Sequence, residues 1–250
     1  MIRFEQVVKT FGTKTVLNNI SCEIKKGEVF CILGPSGTGK SVSLKLMIGL
    51  LTPTSGNVWV GDECVNLADK DMLPKIRNRF GYLFQSAALL AWMNVYDNVA
   101  LPLRETTKLS ENEIYERVKD ALEKVGLSKD MNAMPSSLSG GMQKRAGLAR
   151  AIVMQPEIVL YDEPTSGLDP VTSRKIDALI ADLNKRLGIT SVVVTHDLQS
   201  ALTIADRIVM LHSGKIVLVA TPQEFITSDI PEVVSFLEAQ SVNGDLVLKK

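Results

Sequence analysis

The chain has 250 residues, 45% of them hydrophobic, enough for one sizeable core or two small ones. Lysine plus arginine balances aspartate plus glutamate at 28 each, so the net charge is zero, which argues against a protein that grips nucleic acid. No run approaches roughly 18 apolar residues and MIRFEQVVKT lacks a signal-peptide core, so the expectation is a soluble cytosolic chain that meets membranes only through partners.

In chain order, IRFEQVV, VLNNISCEI and NVWVGDECV read as short, partly alternating strands punctuated by Gly12, Gly27, Gly56 and Gly61. The short turns between them favour antiparallel pairing. Trp59 is expected to pack within a hairpin there. EVFCIL differs: it is apolar throughout, as a strand buried on both faces should be. Cys22, Cys31 and Cys64 are odd in number and lack metal-ligand spacing, so they read as small apolar side chains in a reducing compartment.

After EVFCIL comes GPSGTGKSV, residues 34–42, which meets the pattern G-x-x-x-x-G-K-S/T at Gly34, Gly39, Lys40 and Ser41. A helix is expected from Ser41 to about Leu51. Average usage produces this pattern in roughly one chain of this length per hundred, and here a buried strand precedes it. The chemistry explains the layout. The stretch Gly34, Pro35, Ser36, Gly37, Thr38, Gly39, Lys40, Ser41 and Val42 can curl its backbone N–H groups around phosphates at a helix start. Lys40 reaches the outer phosphates and the Ser41 hydroxyl can ligate Mg²⁺. The loop is expected to hold a nucleoside triphosphate with Mg²⁺.

RFGYLFQ is a further candidate strand, followed by SAALLAWMNVYDNVALPL at 86–103, an apolar stretch that includes Trp92. Two readings stay open for it: internal packing, or an exposed patch for a partner. ENEIYERVKDALEKVGL places Ile114, Val118, Leu122 and Val125 on one helical face, with Gly126 suited to the C-cap. SLSGGMQKRAGLARAIV reads as a helix with a polar, glycine-rich start, where Ser139, Gly140 and Gly141 offer a second anion-binding terminus.

EIVLYDEP is a strongly apolar strand with Asp162 and Glu163 at its carboxyl end, where open α/β sheets bind ligands. Asp162 suits Mg²⁺; Glu163 is either a solvated helix start or a base for an attacking water, and the phosphate loop favours the base. DPVTSRKIDALIADLNKRLG repeats the helical device with Ile176, Leu179, Ile180, Leu183 and Leu187, ending at Gly188. SVVVTHD is the last apolar strand and carries His196; His212 lies at an apparent hairpin turn and reads as structural. Strands alternating with helices imply a mostly parallel α/β sheet.

LSGGMQKR at 138–145 resembles the signature motif of ABC-type ATPases, and the remaining motifs follow that family's order from residue 11 to 196. The resemblance implies an adenine-stacking role for Phe11, which stands 29 positions before Lys40. It implies a Q-loop role for Gln85, sensing Mg²⁺ and the attacking water, a D-loop at Ser166–Pro170 in which Asp169 meets nucleotide, and a γ-phosphate contact for His196. Lys40, Gln85, Glu163 and His196 would then be the catalytic set, and Ser41, Gln85 and Asp162 the metal set. Two positions depart from the commonest pattern: Phe11 for tyrosine and Met142 for glutamine.

The same resemblance implies a P-loop NTPase with a RecA-like core and an antiparallel β subdomain (1–85 and 156–222), an inserted α-helical signature subdomain (86–155), a single domain ending near 237, and a tail at 238–250. It also implies a head-to-tail homodimer with each ATP between one phosphate loop and the partner's signature. LFQSAALL, MNVYDNVALPLRE, MPSSLSGGMQKRAGLARAI and YDEPTSGLDPVTS are similar to the ATPases of Mla/MCE-type phospholipid transport systems. That similarity implies an integral membrane permease, a periplasmic MCE-type lipid-binding protein, a peripheral place on the cytoplasmic side of the inner membrane, and a part in outer-membrane lipid asymmetry. The alternatives are a small-solute importer such as one for polar amino acids and a non-transport ABC ATPase. One phosphate loop, with about a hundred residues between it and the signature, disfavours the second.

Overall fold

The computed structural model describes residues 1–241. β1 (Ile2–Phe11) and β2 (Lys14–Ile24) form a hairpin, and β3 (Val29–Leu33) leads into α1 (Lys40–Met47). β4 (Ser55–Val60) and β5 (Glu63–Cys64) follow, then α2 (Met72–Arg77) and β6 (Phe80–Leu83). A helical stretch comprises α3 (Val95–Thr106), α4 (Glu111–Lys124) and α5 (Gly140–Ile152). The chain returns through β7 (Ile158–Asp162), α6 (Pro170–Leu187), β8 (Thr190–Thr195), α7 (Leu198–Ile204), β9 (Arg207–His212) and β10 (Lys215–Ala220), and ends in α8 (Pro222–Ile226) and α9 (Pro231–Ser241).

Two sheets result. One is antiparallel in the order β2-β1-β4-β5; the other runs β10-β9-β3-β8-β7-β6, parallel except for the β9–β10 hairpin. Period-two alternation divides the second sheet between two cores. Val29, Cys31, Leu33, Val159, Tyr161, Val193, Ile208 and Met210 face the core shared with α3 to α7. Phe30, Ile32, Ile158, Leu160, Val192, Val194, Val209 and Leu211 face the core shared with α1 and the antiparallel sheet. Burial on both faces is why these strands are apolar without interruption.

Local contacts shift several boundaries from those the sequence suggests. The helix after the phosphate loop stops at Met47, not Leu51. Gly49 takes φ 64°, its N–H donates to Leu46 O and that of Leu50 to Lys45 O, the paired bonds of a Schellman stop. NVWVGDECV forms the hairpin expected around Trp59, which pairs with Cys64, and turns at Gly61 and Asp62. Gly56 lies inside β4, where the register with β1 shifts, instead of ending it. Leu187 is exposed while Ile176, Ile180 and Leu183 are buried. Cys31 is buried, but Cys22 and Cys64 are half-buried. Of the tail, 238–241 continue α9 and 242–250 lie outside the described residues.

Leu160 is fully buried in β7 and Leu67 is 74% exposed. Leu160→Ala is expected to lower unfolding free energy by about 2–5 kcal/mol in urea titrations, and Leu67→Ala by less than about 0.5 kcal/mol.

Candidate active site

The neighbours β3, β8 and β7 run parallel, with Leu33 beside Thr195 and Asp162 beside Val194. Their carboxyl ends therefore share one edge, and the phosphate loop, His196 and Asp162–Glu163 emerge together there. Ser36, Gly37, Gly39, Lys40, Ser41, Val42, Gln85, Glu163 and His196 line a single cleft on that edge.

Glycine is required at two loop positions. A Cβ on Gly34 would stand 2.2 Å from Leu211 O, and one on Gly39, at φ 101°, would stand 2.6 Å from Leu17 Cδ2. The Thr38 hydroxyl ties back to Pro35 O at 2.9 Å, closing the loop. α1 begins at Gly39 with no side-chain cap, leaving its first N–H groups for an anion.

Lys40 is 6% exposed and donates to Gly34 O at 2.8 Å and Pro35 O at 3.0 Å, with Glu163 Oε1 3.8 Å away. Burial holds its pKa below the ordinary lysine value, against the opposing pull of Glu163 and Asp162. The Ser41 hydroxyl donates to Asp162 Oδ1 at 2.7 Å, and Tyr82 OH to Oδ2 at 3.2 Å. Burial, with the adjoining Asp162 carboxylate, drives the Tyr82 phenol well above its usual range, so it serves there as a donor. A hydroxyl and a carboxylate joined at this distance are a hard-oxygen pair that fits Mg²⁺.

Glu163 is 9% exposed and takes φ 50°, a left-handed conformation uncommon outside glycine. Its N–H donates to Val194 O at 2.9 Å, and Oε2 lies 2.8 Å from His196 Nδ1. The carboxylate is thus aimed into the cleft between a lysine and a histidine.

The family model described as ABC transporter matches residues 17–166. The chain belongs to the ABC transporter family. It is 40% identical over 238 residues to the intermembrane phospholipid transport system ATP-binding protein MlaF of Escherichia coli K12, covering 95% of this chain and 88% of that one. It is 43% identical over 242 residues to the probable ribonucleotide transport ATP-binding protein mkl of Mycobacterium leprae, covering 96% and 70%. A dimeric, post-hydrolysis structure of the ATP-binding cassette MJ0796 bound to ADP and Pi superposes with TM-score 0.81 at 36% identity, covering 89% of this chain and 99% of that one. The chain is an ABC ATPase cassette, with the α/β architecture of that group.

Not every predicted site residue of this ABC cassette reaches the cleft. Ser139 caps α5 by accepting from Met142 N–H at 3.3 Å, and Ser139 and Gly140 are exposed, but none of 139–141 lines the phosphate-loop cleft. Gly141 is buried, and a Cβ there would stand 2.6 Å from Thr172 Cγ2, so packing within the chain already demands glycine. Asp169 Oδ1 accepts from Val171 and Thr172 N–H, each at 3.0 Å, which caps α6; the Thr172 hydroxyl first, and then these N–H groups, lower its pKa. Phe11 is exposed on one side with Lys9 Nζ 4.9 Å from its ring centroid, and Val16, not Phe11, lines the cleft. Gln85 reaches the cleft and its amide lies 3.4 Å from Ser166 Oγ.

Segment 86–103 splits between core and surface. Val95, Val99, Ala100 and Leu103 are core, whereas Trp92 is 73% exposed and Phe84 also protrudes. Asn98, fully buried, bonds Leu90 N–H and O, Met93 O and Asn94 O, fixing the turn that displays Trp92. Two cations on α5, Lys144 and Arg150, hold backbone carbonyls beside the cleft. A signal for Lys144 exists in the sequence: a lysine three residues after buried Gly141 and four before buried Leu148 sits on the apolar face of its helix.

Gly141→Ala is expected to lower stability by about 1–3 kcal/mol through overpacking against Thr172. Thr172→Ser, which keeps the hydroxyl and removes Cγ2, should recover most of that loss in the double variant, read by thermal unfolding.

Proposed function

We propose that this ABC ATPase powers movement of phospholipid between membranes. The likeness to MlaF over nearly the whole chain carries the reading, since that relative is named for intermembrane phospholipid transport. A ribonucleotide cargo is the second reading, favoured by the similar identity to the mycobacterial protein named for it.

Chemistry follows from the cleft. Lys40 grips the outer phosphates, where its ammonium exchanges loop carbonyls for phosphate oxygens. Ser41 and Asp162 would hold Mg²⁺, with Gln85 at hand; when bound, the ion would supply positive charge against that of the phosphates. Glu163 accepts the proton of the attacking water. His196, proton on Nδ1, orients the Glu163 carboxylate and turns its far edge to the γ-phosphate. Val16 flanks the adenine side from within the cleft, and Phe11, exposed at the turn of the same hairpin, would stack on the base from outside it. Most of the rate enhancement is positioning and charge stabilisation.

Ser139 and Gly140 lie exposed outside this cleft, which supports their service to a second copy: a head-to-tail homodimer in which each ATP sits between one phosphate loop and the other chain's signature. Asp169 keeps α6 and the D-loop in place for that junction. The exposed Trp92 on its Asn98-braced turn, with Phe84, supports a docking surface for an integral membrane permease. The helical unit 86–155 would carry that surface as ATP binding closes the dimer. A permease so placed puts the chain on the cytoplasmic side of the inner membrane, with a periplasmic MCE-type protein as the lipid acceptor or donor beyond it. Among the described residues no helix is long and apolar enough to cross a membrane.

The tagged chain, purified in detergent from its native membranes, is expected to bring down a multi-spanning membrane protein and co-purifying phospholipid. Its ATPase rate in vesicles should then rise when phospholipid acceptor protein is supplied. Stimulation by ribonucleotides with no response to lipid would contradict the phospholipid reading.

A further inference from the structure

Two side chains on α5 reach back to the backbone that surrounds the cleft. Lys144 Nζ donates to Gln85 O at 2.5 Å and to Glu163 O at 3.1 Å. The Arg150 guanidinium donates to Ala87 O at 2.7 Å and Ala88 O at 2.8 Å. Three of those four acceptor residues, Glu163, Ala87 and Ala88, have φ of 50°, 60° and 48°. Left-handed backbone at non-glycine residues persists only where its surroundings over-determine it.

Glu163 is the most constrained of them, because Pro164 comes next and a residue before proline is biased towards extended backbone. Its N–H is fixed by Val194 O, on the sheet. Its carbonyl is fixed by Lys144, from the helical layer. Lys144 is 5% exposed, and burial lowers its pKa while Glu163 and Asp162 oppose that shift. A buried ammonium is kept only where carbonyls or charges satisfy it. The Gln85 and Glu163 carbonyls are the ones that do so here.

We infer that Lys144 is a positioning residue, holding Glu163 in its strained conformation and tying the aim of that carboxylate to the Gln85 segment. Movement of α5 or of the Gln85 loop draws the ammonium off Glu163 O, and the peptide 163–164 then relaxes towards the extended form that its proline favours. The base loses its aim at the cleft without any change at the phosphate loop. The inference rests on the reading of Glu163 as base.

The full chain is assayed as wild type, Lys144→Met, Glu163→Gln and the double variant, with ATP binding measured separately using a fluorescent ATP analogue. Lys144→Met is expected to lower kcat about ten- to a hundredfold while KM and analogue affinity stay within about threefold. In single-turnover measurements the double variant should hydrolyse within about threefold of Glu163→Gln alone, since Lys144 acts through Glu163. Losses that multiply, or a fall confined to nucleotide affinity, overturn the inference and leave the base in place. A Glu163→Gln variant at wild-type rate overturns the base and this inference together. If Lys144→Met does not fold, Lys144→Gln, whose amide satisfies one carbonyl without the charge, is read by the same criteria.

Discussion

Parallel pairing of β3 with β8, and of β8 with β7, is the constraint on which the remaining structure depends. Backbone hydrogen bonding in that arrangement puts three strand ends on one edge, and each end delivers a different group: the phosphate loop, His196 and the pair Asp162–Glu163. The registers make the meeting possible. Leu33 lies beside Thr195, and Asp162 beside Val194, so the Ser41 hydroxyl reaches Asp162 at 2.7 Å and Glu163 reaches His196 at 2.8 Å. Sliding one strand by a residue would exchange its side chains between two differently shaped, close-packed cores and would move the group at its end out of reach of the others.

Around that edge the chain stores strain where chemistry is proposed. Glu163, Ala87 and Ala88 are held in left-handed backbone, and two cations from α5, buried Lys144 and half-buried Arg150, satisfy the carbonyls of all three. Burying Lys144 and partly burying Arg150 is costly in itself, and the desolvation lowers the pKa of each. The arrangement therefore makes poor sense as simple packing. It makes good sense as a way for a helix carrying the Ser139 cap to govern the geometry of a cleft that Ser139 does not touch.

Short-range patterns are the legible part of the sequence. The glycine loop with Lys40 and Ser41, the carboxylates closing an apolar strand, and the caps at Gly126 and Gly188 are all local, and the alternation of strands with helices implies the parallel sheet. What escapes a sequence reading depends on contacts between distant segments. Gly141 reads as an anion site, but its neighbour across the chain, Thr172, decides its size. Asp169 reads as a nucleotide contact, and its carboxylate also makes the local cap at the start of α6. Lys144 and Asn98 are recognisable as polar residues on buried faces, although Lys144's partners at Gln85 and Glu163 are set by tertiary folding and those of Asn98 by the irregular turn just before its own helix. The apolar stretch 86–103 is undecidable from composition because it splits residue by residue between core and surface.

In the proposed mechanism one chain contributes the phosphates' cradle and the base, whereas a second chain must complete the site. Specific ATPase activity measured as a function of chain concentration tests this most directly. Activity per chain is predicted to rise with concentration and saturate as dimers form, with monomer at the dilute limit turning over ATP at a small fraction of the plateau. Constant activity per chain across a range in which sedimentation shows monomer would contradict it.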